Sequence, residues 1–200
     1  RQMCIRDRDE KDANDNLTGK RVTTSDYASA SYYYVNKSSL PKVYGGFNTS
    51  LSWKGFDLSA IFAYSIGGYI YNRDITMILH NGSLEGRDWS TEILKRWTPE
   101  NRYTDVPALS TTSNNWNSAS TRFLQNNSYM RLKNLTLSYD LPKQWISKLA
   151  LSSVQVFVQG DNLFTIHRNQ GLDPEQGITG ITYYRYPAMR TISGGINLSF

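Results

Sequence analysis

Apolar and polar residues alternate in five stretches of the chain, and a period of two is the mark of a strand with only one face in an apolar environment. In the first stretch Val43, Gly45, Phe47, Thr49, Leu51 and Trp53 share one face, and Tyr44, Gly46, Asn48, Ser50 and Ser52 share the other. Lys54-Gly55 then reads as a tight turn. After it Phe56, Leu58, Ala60, Phe62, Tyr64 and Ile66 alternate with Asp57, Ser59, Ile61, Ala63 and Ser65, which predicts a long hairpin. A third strand is expected over Tyr129 to Asp140. The fourth is expected over Ser153 to Leu163, with Val154, Val156 and Val158 opposing Gln155, Phe157 and Gln159. In the last, Ile192, Gly194, Ile196, Leu198 and Phe200 oppose Thr191, Ser193, Gly195, Asn197 and Ser199. Strands of about 10 residues or more exceed the ~5–6 of soluble sheets and suit a tilted crossing of a bilayer.

The third stretch breaks its own pattern. Leu135, Leu137 and Tyr139 share a phase with Arg131 and Lys133, while Met130 and Leu132 fall opposite. A Lys or Arg facing the middle of a bilayer costs roughly 2–4 kcal/mol. A bulge around Lys133-Asn134 is therefore expected, shifting the phase so that Met130 and Leu132 join the apolar face.

The connections alternate as well. Lys54-Gly55 is very short and Leu141 to Ser152 modest, the latter with Pro142 and apolar residues at Trp145, Ile146 and Leu149. Gly67 to Ser128 and Phe164 to Pro187 are long. Transmembrane barrels have this asymmetry, with the short turns periplasmic. Within the first long loop, Trp89 to Trp97 predicts a short helix started by Ser90 or Thr91 and stopped by Thr98-Pro99. Trp53, Phe56, Tyr139, Trp145 and Phe200 cluster at the short-turn ends, where amphipathic rings form a girdle at headgroup level. The same rings would be core in a soluble protein. The fold class expected is all-β: an antiparallel up-and-down meander from a transmembrane β-barrel, with one short helix in a long extracellular loop.

Composition agrees. Tyr (14) and Trp (5) are abundant, which favours strands. Mean hydropathy is −0.52 and no run approaches 18 apolar residues, so no transmembrane helix is encoded. A barrel averages out as polar because its strands alternate. The net charge of +5 is spread along the chain and forms no basic stripe, which argues against nucleic acid. Cys4 is the sole cysteine, so no internal disulfide is available. No apolar leader segment is present. Residues 1–8 resemble translated adapter sequence and are expected to be foreign. An extracellular loop is expected over 9–40 and barrel over 41–200, with earlier strands and a plug domain upstream.

Candidate chemistry is sparse. Asp173 and Glu175 form a carboxylate pair of the type glycosidases use. Residues two apart on extended chain point oppositely, however, and Pro174 suits a turn, so loop ordering or partner contact is the reading kept. His80 and His167 stand without a Ser or Cys partner and are read as polar loop residues. Asp12, Asn14, Asp15 and Asn16 resemble the start of a calcium loop, but Leu17 replaces the turn glycine and Thr23 the closing carboxylate. A polar turn is expected there, no cofactor is assigned, and calcium is kept only as a weak alternative for the longer protein. Tyr32-Tyr33-Tyr34 and Tyr183-Tyr184 are of the type that packs within loops, stacks on sugars or meets a partner.

Read in order, these segments resemble the barrel of SusC/RagA-type TonB-dependent transporters of Bacteroidetes. The resemblance is carried by Pro41-Lys42-Val43-Tyr44-Gly45-Gly46-Phe47, Trp53-Lys54-Gly55-Phe56-Asp57-Leu58 and Arg96-Trp97-Thr98-Pro99-Glu100-Asn101. The run from Tyr129 through Pro142, Gly160-Asp161-Asn162-Leu163-Phe164-Thr165, Gly171-Leu172-Asp173-Pro174-Glu175 and Tyr186-Pro187-Ala188-Met189-Arg190-Thr191 complete it. It covers roughly residues 10 to 200. It implies a plugged barrel of about 22 strands in the outer membrane, importing glycan or peptide oligomers with TonB energy and a SusD-like lipoprotein. It implies no enzyme. It also implies that Ile192, Ile196, Leu198 and Phe200 are a barrel-assembly signal, with a native C-terminus and a cut N-terminus. Asp173, Glu175, Tyr183 and Tyr184 are the loop residues expected to meet substrate or partner. The competing readings are a surface carbohydrate-binding β-sandwich, a glycosidase using Asp173 and Glu175, and a porin or adhesin barrel without TonB.

Overall fold

A computed structural model describes residues 6–200 apart from 25, 83, 111–116, 147–150, 176, 178 and 183, so that Cys4, Leu149 and Tyr183 lie outside the described residues. In chain order the elements are β1 (Arg6–Lys11), β2 (Leu17–Thr24), β3 (Val43–Trp53), β4 (Phe56–Ile66), β5 (Tyr69–Asn72), α1 (Arg73–Ile78), β6 (Leu124–Asn126), β7 (Tyr129–Asp140), α2 (Lys143–Ile146), β8 (Ser153–His167), β9 (Ile181–Thr182) and β10 (Thr191–Ser199). They gather into two units. One holds Lys37–Ile70, Gln125–Gly180 and Arg185–Phe200, and the other Arg1–Asn36, Tyr71–Leu124 and Ile181–Tyr184.

The first unit is a five-stranded antiparallel sheet in the order β10-β8-β7-β4-β3, so each strand pairs with the next long strand of the chain. That is the expected meander. β3, β4 and β7 begin and end where the alternation does. The hairpin between β3 and β4 closes with Lys54 at φ 48° and Gly55 at φ 88°. Two left-handed residues make the turn whose twist matches that of the flanking strands, and a Gly in the second place carries this without steric cost.

Directly opposed residues of an antiparallel pair lie on the same face, so the register defines the faces. Phe47 opposes Phe62, Leu51 opposes Leu58 and Trp53 opposes Phe56. Phe56 then opposes Tyr139 and Leu58 opposes Leu137. Leu137 opposes Val158, and Val156 opposes Ile196. One face is therefore apolar across all five strands. Its side chains stand open: Leu51, Val158, Ile166, Ile192 and Ile196 are each more than half exposed. A soluble monomer rarely leaves more than a few hundred Å² of contiguous apolar surface open. The opposite face carries Asn48, Ser50, Asp57, Ser59, Asn134, Thr136, Gln159 and Ser193.

The expected bulge is present. Asn134 pairs with Ile61 and Leu132 with Phe62, so Lys133 has no partner on β4. The extra residue reverses the phase, bringing Met130 opposite Tyr64 and Ile166, and Leu132 opposite Phe164. Arg131 moves to the polar face, opposite Ala63 and Thr165. β8 answers with Asn162 and Leu163, which lie between the pairs Asn134↔Asp161 and Leu132↔Phe164. Asn162 sits at φ 52°, a conformation Asn tolerates better than most residues. This irregularity ended the simple alternation at Leu163, whereas the strand continues to His167. The Leu163 side chain folds over Gly160, where a Cβ would meet it at 2.7 Å.

The second unit was poorly foreseen. The stretch expected as loop holds the β1–β2 hairpin, with Arg8 opposite Val22 and Asp9 opposite Arg21. Its charged strands show no apolar alternation. At its tip the Asp12 carboxylate accepts the N–H groups of Asn14 (2.8 Å) and Asn16 (2.9 Å). These bonds, Asn16 first, hold its carboxyl below the ordinary value, and this is the polar turn expected. α1, unforeseen, is capped by Asn72, whose side chain accepts from the Ile75 N–H. The helix expected over Trp89 to Trp97 is a shorter 3₁₀ turn, Thr91–Lys95, capped by Ser90.

Deleting Lys133 from the full-length protein removes the phase reversal and drives Arg131 or the Leu135–Leu137 pair to the wrong face. Its urea midpoint in lipid vesicles is expected to fall by the equivalent of about 2–4 kcal/mol. Lys133→Ala keeps the residue count and should retain most of that stability. Equal midpoints for the deletion and the wild type would show that the strand accepts either phase.

Candidate functional site

Beyond the bulge, the polar face of β7 carries Arg131, and the loop after β8 folds back onto it. Arg131 is 3% exposed, and each of its three guanidinium nitrogens donates a hydrogen bond. Its Nε donates to Thr165 Oγ1 (2.9 Å), Nη1 to Glu175 Oε2 (2.8 Å) and Nη2 to Asp173 Oδ1 (2.5 Å). Lys133 Nζ, brought there by its bulge, donates to Glu175 Oε1 (2.6 Å). A guanidinium reaches these three acceptors from one rigid planar fork, whereas an ammonium is a compact charge on a flexible stem.

Asp173 is equally committed, with its side chain 7% exposed. Oδ1 also takes the N–H of Glu175 (2.9 Å), and Oδ2 takes that of Ala188 (2.7 Å). One carboxylate thus holds both the outgoing and the returning chain of the loop. Burial pushes its carboxyl up, but the two backbone N–H bonds and the Arg131 guanidinium outweigh that and hold it below the ordinary 3.8. Pro174 is fully buried. Its carbonyl accepts from Asn127 Nδ2 (2.7 Å), and Asn127 Oδ1 accepts from Asn169 Nδ2 (2.8 Å). Further along the polar face Asp161 accepts from Asn134 (2.7 Å) and from Gln159 (3.2 Å).

This arrangement binds a loop to a wall. Asp173 and Glu175 lie together, but both face cations, so neither stands ready as proton donor with the other as base. Among the described residues no group of three or more His, Cys, Asp or Glu is placed to hold a metal. His167 holds the Asn169 carbonyl through Nδ1 (2.9 Å). Arg131 and Lys133 were not foreseen as partners of the acidic pair. The signal was available: two cations spaced i, i+2 on β7 and two carboxylates spaced i, i+2 in the loop.

The remaining candidates fall in several places. Trp53, Phe56 and Tyr139 stand together at the short-turn end of the apolar face, with the Phe56 and Tyr139 rings 4.4 Å apart, and Trp145 is exposed on α2. Ile192, Ile196 and Leu198 share that face on β10, and Phe200 follows them. Tyr184 belongs to the second unit, where its N–H donates to Asp74 Oδ1 (3.0 Å) and its hydroxyl accepts from Arg87 (3.2 Å). Tyr33 donates to Asp9 Oδ1 (2.7 Å) with the Arg21 guanidinium over its ring, while Tyr32 and Tyr34 are exposed. His80, read as an ordinary loop residue, is buried against Trp89.

No family profile matches the chain. Individual proteins do. TonB-dependent receptor P3 of Formosa agariphila is 33% identical over 166 residues, 78% of this chain and 16% of that protein. TonB-dependent receptor SusC of Bacteroides thetaiotaomicron is 27% identical over 84% of this chain and 16% of its own length. A structure of the RagAB peptide transporter superposes on 98% of this chain with a TM-score of 0.79 and 32% identity, covering 22% of that chain. The RagAB peptide importer in its closed-closed state gives a TM-score of 0.76 at 31% identity. The chain therefore spans about a sixth of the length of the curated relatives it matches.

Replacing Asp173 by Asn leaves Arg131 buried without its main counter-charge, at an expected cost of about 3–5 kcal/mol to loop attachment. Limited proteolysis of the 168–190 segment in the full-length protein should read this as faster cleavage. Glu175→Gln, at a site 38% exposed, is expected to cost no more than about 1 kcal/mol. A lowered carboxyl stabilises above its ordinary value and loses that contribution as pH falls through the lowered one. The loop should thus stay protected as pH falls past 3.8 and open only below it. Release already at pH 5 would contradict this.

Proposed function

As a member of the SusC/RagA-type TonB-dependent receptors, the chain is, we propose, part of the barrel wall of an outer-membrane importer of glycan or peptide oligomers. In this reading it works with a SusD-like lipoprotein and draws its energy from TonB. The observation that carries the reading is the pair of faces: a continuous open apolar face, and a polar face on which Arg131 anchors a long loop. Lipid suits the first, and a watery lumen suits the second. A β-sandwich would cover the apolar face with a second sheet, and the wide exposure of Ile192 and Ile196 speaks against that.

In this reading Trp53, Phe56, Tyr139 and Trp145 lie at the periplasmic headgroup level, where a ring with one polar end is best placed. Ile192, Ile196, Leu198 and Phe200 are the strand the assembly machinery engages. The loops after β4 and β8 face outward, so their residues are the ones a substrate meets first. None of this wall performs covalent chemistry. It contributes an insulating surface, a polar lining and fixed loop roots, while plug and energy coupling come from the longer protein.

Two measurements test it. Uptake of labelled oligomers by cells carrying the full-length gene should fall to background when TonB is removed; uptake that persists would favour a simple porin. Removing Phe200 from the full-length protein should lower the heat-modifiable fraction on gels several-fold, whereas normal assembly would leave the residue only a place among the aromatic rings.

A further inference from the structure

Beyond Asp161, the partner of Thr191, β8 pairs with no strand on its β10 side. The chain leading into β10 passes there instead. It is tied by the bond from Asn162 Nδ2 to the Met189 carbonyl (3.2 Å) and by that from the Ala188 N–H to Asp173 Oδ2 (2.7 Å). Between this chain and β8 lies a notch of about 510 Å³, with Arg131, Phe164, Asp173, Arg185 and Arg190 among its walls. Arg131 and Asp173 neutralise one another. Arg185 and Arg190 are exposed, and neither has a carboxylate within ion-pair distance among the described residues. The notch therefore carries two positive charges that its own walls do not balance.

Their position points to what balances them. Arg190 stands two residues before Ile192 and shares its phase, which is that of the apolar face. β10 is 9 residues long, about 30 Å at ~3.3 Å per residue, or roughly 21–24 Å of height at a tilt of ~35–45°. A lipid-facing apolar band is ~25 Å tall, so Arg190 stands at its outer rim. Phe164, opposite Leu132, and Ile166, opposite Met130, carry the apolar face up to the notch and are 46% and 64% exposed. A guanidinium at such a rim meets lipid headgroups, and a phosphate fits its fork with two parallel bonds. A free anion would gain nothing from Phe164 and Ile166. A phosphorylated lipid uses the whole surface, its headgroup at the arginines and its chains along the two apolar side chains.

We propose that this notch binds the phosphate headgroup of an outer-leaflet lipid through Arg190 and Arg185, with the acyl chains on Phe164 and Ile166. The proposal rests on the outer-membrane reading and adds a lipid to it. The full-length receptor in detergent is titrated by native mass spectrometry with phosphatidic acid, with diacylglycerol of the same chains and with inorganic phosphate. Phosphatidic acid should be retained and diacylglycerol lost. Arg190→Ala and Arg185→Ala should each weaken retention about tenfold, the loss of charge-assisted bonds to phosphate. Arg102→Ala, which removes an exposed cation of the other unit, should leave it unchanged. Heat-modifiability on gels serves to confirm that each variant is folded. The proposal is overturned if phosphatidic acid is not retained, if either Arg190→Ala or Arg185→Ala binds it as the wild type does, or if Arg102→Ala weakens it equally. Displacement of the lipid by an equal concentration of inorganic phosphate would leave an unselective anion site, and displacement by hexaglutamate would give the arginines to substrate; either overturns it. Retention in detergent needs neither TonB nor transport, so uptake that persists without TonB would sink the import reading alone. Normal TonB-dependent uptake by a receptor that retains no phosphatidic acid would sink this proposal alone.

Discussion

A strand that must be apolar on one side and charged on the other can meet both demands only if its phase is right at every residue. β7 contains Arg131 and Lys133 in a phase that would turn a cation toward the apolar side. The bulge at Lys133 removes the conflict by one extra residue. Everything nearby follows from that step. Met130 and Leu132 complete the apolar face, and Arg131 turns to the polar one. Lys133 comes within reach of Glu175, and β8 adds Asn162 and Leu163 to stay paired. A guanidinium so buried is acceptable only with its counter-charge beside it, so the bulge and the loop that brings Asp173 form one solution.

The sheet unit was largely legible in the sequence because alternation is a local signal and register follows from it. β3, β4 and β7 have the bounds read from their side chains, and the conflict of phase in β7 was itself enough to locate the bulge. β8 ran on past Leu163 because a two-residue irregularity erases the period that reveals a strand. The second unit was nearly illegible. Its hairpin strands are charged and its helices are shorter than two turns, held by caps such as Asn72 and by contacts distant in sequence. Neither leaves a periodic trace.

The candidate site divides the same way. The apolar residues of β10 and the aromatic rings at the short-turn end could be named from spacing alone. The partners of Asp173 could not, since Arg131 lies 42 residues away in sequence and only the fold brings it near. The burial of His80 was hidden for the same reason: its partner Trp89 is nine residues on, at the far side of a loop that shows no period.

The Asp173 carboxylate holds the N–H of Glu175 on one oxygen and that of Ala188 on the other. Chain that departs at one post returns to its neighbour, and both posts stand on β7 through Arg131. The loop is therefore an arch with fixed footings. Between the footings Thr182 is fully buried and Tyr184 is held by Asp74, whereas an exposed residue such as Arg185 can be replaced without disturbing the strands. A lineage that inherits this sheet can change what the arch presents to its surroundings while the sheet stays the same, so that surface and architecture evolve on separate clocks.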